Sequence, residues 1–297
     1  MRTIALATLL FMFTLSGVRA ETVQPIPMYG KGILVWVDRE GREEILNIEP
    51  QNFASLDISP DGESVATFLT ESGKRDLWIY RFESADLEQF TSTGKAGFPV
   101  WTPDAERLIF ASWGEGLWEV AIDGSEPPKR LTEPKNSTHA PNTFLPDGRL
   151  IYVDLVGADV DLHLFSFEDS QASVPLLKTR FHELAAMISP NGRWIAYISN
   201  RDGQWEIYVS EFPSMERSWQ ISTNGGQDPR WGKDGRELFF ERGSSFYAVS
   251  VETDSNFSHG TPKVLFEGNY NYAPMRSYDV SADGQRFLMS RLVSPSR

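Results

Sequence analysis

The 297-residue chain contains no cysteine. Disulfides and thiolate metal sites are therefore excluded. Histidine is scarce: the four are His139, His163, His182 and His259, and no two stand at the close spacing of a paired metal-ligand motif. Basic residues are outnumbered, 28 Lys and Arg against 41 Asp and Glu, for a formal charge of −13. The Lys and Arg are scattered among acids, with no basic run to offset that charge. Such a chain repels nucleic acid and anionic lipid at long range. No Gly-x-Ser-x-Gly nucleophile elbow is present either.

Long apolar runs are also missing, except at the start. Met1-Arg2-Thr3 gives a short positive start, residues 4–18 are apolar or weakly polar, and Val18-Arg19-Ala20 places small residues where a signal peptidase inspects. As a helix, that run rises roughly 22 Å, short of a roughly 30 Å hydrocarbon core. Residues 1–20 thus read as a signal peptide cleaved before Glu21. No lipid-accepting cysteine follows, so the expected product is periplasmic or secreted, without stable membrane insertion after cleavage. Cleavage removes Arg2 and Arg19 and no acid, which makes the remaining chain more acidic still.

What the sequence does contain is an internal repeat. A turn of the Pro-Asp-Gly kind occurs as Pro60-Asp61-Gly62, Pro103-Asp104-Ala105, Pro146-Asp147-Gly148, Pro190-Asn191-Gly192, Lys233-Asp234-Gly235 and Ala282-Asp283-Gly284. The Asp or Asn recurs after 43, 43, 44, 43 and 49 residues. Proline presets φ, Asp or Asn bonds back to the local backbone, and glycine accepts the left-handed conformation. An apolar residue lies three positions before each Asp or Asn: Ile58, Trp101, Phe144, Ile188, Trp231 and Val280. Runs rich in aromatic and β-branched residues follow each turn, four strands to a repeat.

The sixth repeat supplies only two strands before the sequence stops. The missing pair stands at the other end, in residues 33–37 and 44–48, joined by Arg39-Glu40-Gly41. Together they predict an all-β, six-bladed β-propeller over residues 33–292. Its sixth blade is closed by N-terminal strands pairing with C-terminal strands, which leaves no unpaired blade face. Residues 21–32 are then a short N-terminal segment and 293–297 a tail.

The repeats resemble the TolB-type, WD-like propeller family. Phe98-Pro99-Val100-Trp101-Thr102-Pro103-Asp104, Asp228-Pro229-Arg230-Trp231, Glu206-Ile207-Tyr208-Val209 and Leu131-Thr132 carry the likeness. A nearer likeness is to the propellers fused behind bacterial serine/threonine kinases. It lies in Leu34-Val35-Trp36-Val37-Asp38-Arg39, in Trp219-Gln220-Ile221-Ser222 with Asn224-Gly225-Gly226, and in Gly235-Arg236-Glu237-Leu238-Phe239. The resemblance spans about residues 30–292 and implies a sensing or docking role, with no catalytic residues to transfer. No kinase domain is expected here, and the segment before the first strand is too short for the separate N-terminal α/β domain of TolB.

Candidate site residues follow from the ring. Loops that bring the chain into each inner strand, together with those joining second to third strands, form one rim, where binding residues concentrate. His139, His182 and Glu183 lie in such incoming loops. Tyr270 and Tyr272 occupy the longest of them, to which the 49-residue spacing is assigned, and Trp113 lies in a short second-to-third loop beside Gly114. Asp228 opens an inner strand and joins this set. Exposed aromatics next to a channel suit peptide or glycan contact, and loop packing on the parent blade is the plainer alternative.

Four residues before each turn Asp or Asn stand Asp57, Val100, Thr143, Met187, Arg230 and Asp279. Blades five, six and one are consecutive, so Arg230, Asp279 and Asp57 should meet near the axis. An internal ion-pair cluster and a divalent-cation site are the two readings of that trio. The expected function is a non-enzymatic binding or protein-interaction module, with no cofactor, no resident metal and no nucleic acid. Its partner is an unknown protein, peptide or glycan. The alternative is a metal-dependent hydrolase or lactonase acting at the channel.

Overall fold

The computed structural model describes residues 30–134, 137–156, 159–168, 173–273 and 275–293. The proposed signal peptide therefore lies outside the described residues. Six antiparallel sheets follow one another, each built around four strands. Blade one runs from Phe53–Ile58 through Ser64–Glu71 and Lys74–Arg81 to Asp86–Gln89. The inner strands of blades two to five are Ala96–Trp101, Thr138–Phe144, Glu183–Ile188 and Gln227–Trp231. Blade six is shared: its strand order is Tyr278–Val280, Arg286–Leu292, Gly32–Asp38 and Glu43–Ile45 from the axis outward.

The shared blade explains the pattern of its N-terminal strand. Gly32–Asp38 pairs antiparallel with Arg286–Leu292, setting Val35 opposite Met289 and Val37 opposite Phe287. Val35, Val37, Phe287 and Met289 are buried with Phe239 and Phe246 of blade five. Leu34, Trp36 and Leu288 point the other way and join Phe53 and Leu56 of blade one. Alternate residues thus serve two neighbours, so the strand is apolar on both faces.

The repeated turn is a local hydrogen-bonded device. Asp61 Oδ1 accepts the Glu63 N–H at 2.9 Å and the Ser59 hydroxyl at 2.5 Å, while Gly62 N–H reaches Ser59 O at 2.8 Å. Asp104, Asn191 and Asp283 repeat the scheme with Thr102, Ser189 and Ser281. The residue after each Asp or Asn has positive φ, from Gly148 at 85° to Ala105 at 61°, the one non-glycine in that place.

A second device sits six residues before the turn Asp or Asn. Ser55, Phe98, Ala185 and Asp228 there have φ of 59°, 53°, 54° and 50°, and each inner strand shifts register at that point. These bulges bend the strands where they line the axis. Proline cannot adopt positive φ, and in blade three Pro141 holds the same place, the shift falling between Pro141 and Thr143.

The 49-residue spacing has two sources. The incoming loop that carries Tyr270 and Tyr272 is long, as expected. The connection between the third and fourth strands of blade five is long as well: after Ser245–Glu252 the chain adds a short strand, Ser258–His259, before Lys263–Glu267. That added segment folds over the cleft toward blade four.

Candidate functional site at the ring axis and rim

At the axis, carboxylates tie blade to blade. Asp279 Oδ2 of blade six accepts the Ile58 N–H of blade one at 2.8 Å. Asp57 Oδ2 of blade one accepts the Trp101 N–H of blade two at 2.7 Å, and Trp101 Nε1 donates to Asp57 O at 3.0 Å. Asn142 Oδ1 accepts the Ala186 N–H at 3.2 Å, and Trp231 Nε1 donates to Met187 O at 2.9 Å. Asp228 Oδ2 accepts the Ser277 N–H at 3.0 Å and hydroxyl at 2.5 Å, joining blade five to blade six.

Of the expected trio, Arg230 and Asp279 stand together, while Asp57 pairs with Arg276, a residue the sequence did not single out. Arg230 lies 3.9 Å from Asp279 and donates to Pro229 O at 2.9 Å and Met275 O at 3.1 Å. Arg276, only 5% exposed, pairs with the Asp57 carboxylate and also donates to Asn142 O in blade three. It therefore links blades six, one and three at the axis. Burial lowers its pKa to about 10, against a favourable field from Asp279, so it is still charged at neutral pH. Two guanidiniums thus answer the two axial carboxylates. Among the described residues no group of three or more His, Asp or Glu side chains is arranged to hold a metal ion.

Next to this cluster lies a second acidic pair. Asp228 is fully buried, with Oδ1 unpartnered, and its carboxyl pKa is raised by burial despite Arg230 and Ser277. Glu241, half-buried, is raised further, by desolvation and then by the charge of Asp228. A carboxyl raised in the fold binds more protons folded than unfolded. Its stabilising contribution is complete below the unfolded value, about 4 for such carboxyls, and is lost as pH rises through the folded pKa. As pH rises above the unfolded value of about 4, the melting temperature should therefore fall, and Glu241→Gln should flatten that fall. Thermal melts of both proteins across this range test it; parallel curves would remove the pair from the stability balance.

His139 has a structural task. In blade one, the Thr91 hydroxyl accepts the Leu77 N–H at 2.9 Å and donates to Asp76 at 3.1 Å. Ser222 does the same in blade four, with Ile207 N–H at 2.8 Å and Glu206 at 2.5 Å. Blade two has Gly116 where the carboxylate should stand, and the Thr132 hydroxyl meets His139 Nδ1 at 2.6 Å instead. The other ring nitrogen, Nε2, faces Ser137 Oγ at 3.2 Å and Asp154 Oδ1 at 3.4 Å. Burial tends to raise the Asp154 pKa; contacts with His139, Ser137 and His163 outweigh it and hold the carboxyl low. A serine–histidine–aspartate relay needs Ser and Asp on opposite ring nitrogens. Here they share one and Thr132 holds the other.

The remaining rim candidates are spread round the ring. Glu183 is buried, its pKa raised by desolvation, with Oε1 bonded to Thr179 at 2.8 Å and Ser199 at 3.3 Å. His182 lies half-buried, its ring 6.2 Å from Trp205. Tyr270 packs between blades six and five, donating to Glu43 at 3.0 Å and standing edge-on to Phe266. Tyr272 is half-buried. Trp113 packs against Gly97, where a Cβ would come within 2.5 Å of its ring, and Arg75 covers it at 4.3 Å. His163 packs 5.5 Å from Tyr152, and His259 is exposed in the added strand of blade five.

No family model matches the chain. The TolB protein of the Tol-Pal system from Anaeromyxobacter dehalogenans is 30% identical over 98 residues, 32% of this chain and 22% of that protein. A tricorn protease homologue from Saccharolobus solfataricus is 26% identical over 152 residues, 46% of this chain and 13% of that protein. A solved structure described as TolB from Agrobacterium tumefaciens superimposes with a TM-score of 0.70 at 18% identity, covering 89% of this chain and 99% of that one. The fold is TolB-like. The matched stretches span about a fifth or less of these sequence relatives. Oligogalacturonate lyase, with a TM-score of 0.57 at 11% identity, has the ring too, so the fold alone assigns no activity. None of these relatives ties the chain to kinase-fused propellers.

Proposed function

We propose that this protein is an exported, non-enzymatic interaction module: a rigid TolB-like ring that presents rim and inter-blade surfaces to a partner protein or peptide. One observation carries the reading. The axial groups that could have formed a reacting centre, Asp57, Asp279, Arg230 and Arg276, are committed to one another and to backbone groups of adjacent blades. The axis is stitching, and the surfaces around it are what a partner can reach. Export follows from residues 1–20 and agrees with the TolB likeness. Among the described residues, no helix is long and apolar enough to cross a membrane.

The experiment is affinity capture from a periplasmic extract on the immobilised exported chain, run beside turnover assays with lactone and ester substrates and added Ca²⁺, Mn²⁺ or Zn²⁺. The expected result is a saturable complex and no turnover. Metal-dependent turnover that is lost in Asp57→Asn and Asp279→Asn would overturn the reading in favour of channel hydrolysis.

A further inference from the structure

We propose that the groove between blades two and three, on the face of the repeated turns, is a docking site for a peptide segment bearing an aromatic side chain flanked by basic residues. This assignment rests on the interaction role proposed above and gives the partner segment a chemistry.

The ring contains its own template. Between blades four and five the corresponding cleft is filled by residues 253–259 of the chain itself. Phe257, 4% exposed, is inserted against Trp194, Trp219 and Trp231 at ring distances of 5.4, 5.2 and 6.5 Å. The inserted segment is held by its carbonyls. Asn191 Nδ2 and Trp194 Nε1 donate to Thr253 O at 3.0 and 2.8 Å, and Arg193 donates to Asp254 O and, at 2.9 Å, to Ser255 O. An aromatic side chain with its neighbouring backbone is thus what such a cleft accepts in this fold.

Counted from the repeated turn, the same positions between blades two and three carry different residues. Asp104, Glu106 and Arg107 replace Asn191, Arg193 and Trp194, and Phe144 replaces Trp231. Here the cleft is an open groove of about 610 Å³. One wall is aromatic: Phe144 and Phe167 are nearly parallel, 16° apart with centroids at 5.9 Å, and Phe165 meets Phe167 edge-on at 5.0 Å. Phe167 is 37% exposed and lines the groove.

At the positions matched to the template, two donors for carbonyls, Asn191 and Arg193, have become the acids Asp104 and Glu106, and Trp194 has become Arg107. Asp104, Glu119, Asp147 and Glu168 line the groove against Arg107 and Arg149. Both guanidiniums are already engaged: Arg149 with Asp147 at 2.7 Å, Arg107 with Glu126 at 2.9 Å and Glu119 at 3.8 Å. Glu168 is exposed and has no ion-pair partner among the described residues. Surplus acid beside an aromatic wall selects a cationic occupant with an aromatic or large apolar anchor. A neutral oligosaccharide would use the aromatic wall and gain nothing from the net charge.

The test uses the full exported chain and a blocked, fluorescent hexapeptide, Gly-Lys-Ser-Phe-Lys-Gly. Its controls have alanine for the phenylalanine or glutamate for both lysines, and a neutral hexasaccharide is the competitor. The first peptide should bind, more weakly as salt rises. The alanine control, the Phe167→Ala protein and the Glu168→Lys protein should each lose about tenfold in affinity. Glu168→Lys changes an exposed side chain, so it decides the matter if Phe167→Ala fails to fold. Equal binding by wild type and Glu168→Lys, tight binding of the glutamate control, or binding of the hexasaccharide alone would overturn the assignment. A partner captured from extract equally well by wild type and both variants would sink the groove and leave the interaction role standing. No capture and no peptide binding would end both.

Discussion

Deleting residues 21–50 should unfold or aggregate the entire protein, although it removes only a terminal segment. The deletion takes away Gly32–Asp38, which lies inside blade six between Arg286–Leu292 and Glu43–Ile45. It exposes a full row of backbone groups on Arg286–Leu292 and opens two apolar clusters at once. Leu34, Val35 and Val37 are wholly buried and Trp36 is nearly so. Each such side chain contributes very roughly 1.5–3 kcal/mol, so four together rival the whole stability of a typical domain, about 5–15 kcal/mol. An open array of repeats would lose only its end unit and keep the rest folded. The measurement is a thermal melt of the truncated chain beside the full exported one. A cooperative transition at nearly the same temperature would mean that blade six does not hold the ring shut.

The ring was readable in the sequence because its signals are local. Each turn spells out its own hydrogen bonds within a few residues: the hydroxyl of Ser59 and the N–H of Glu63 both meet Asp61. Strand count then required closure by the two chain ends, and Val35 opposite Met289 is the result. The axial carboxylates were readable too, since Asp57 and Asp279 share a register position and each caps an N–H of the next blade.

Other features depend on pairings that no period announces. Arg276 lies in irregular chain before the last inner strand, and one of its partners, Asn142, belongs to blade three. His139 looks like a functional rim histidine until Gly116 is seen to lack the carboxylate that Asp76 and Glu206 provide to their own blades. The signal was available as an omission, a Leu-Thr strand whose acidic partner is missing. The open groove is subtler still. Among the described residues of blade three, Phe167 meets Phe144 but none enters the cleft toward blade two as Phe257 enters toward blade four, a difference no period in the sequence announces.

Arg276→Met should cost about 3–5 kcal/mol, the usual penalty for stranding one member of a buried charge pair. The side chain is 5% exposed and pairs with Asp57, itself 9% exposed. Methionine keeps most of the volume and removes the charge and its donors. Asp57 would then retain the Trp101 N–H but lose its guanidinium, and Asn142 O would lose its donor. Asp57→Asn in the same chain should recover part of the loss, because a neutral amide oxygen can still accept from Trp101 without leaving a bare charge at the axis. The four proteins, wild type, the two single variants and the double variant, form a cycle read by denaturant unfolding, and a coupling well above about 0.5 kcal/mol is expected. If Arg276→Met melts like wild type, the guanidinium is not what balances the axial acids. If the double variant is no better than Arg276→Met, the loss comes from Asn142 and from packing, and the charge pair is not its source.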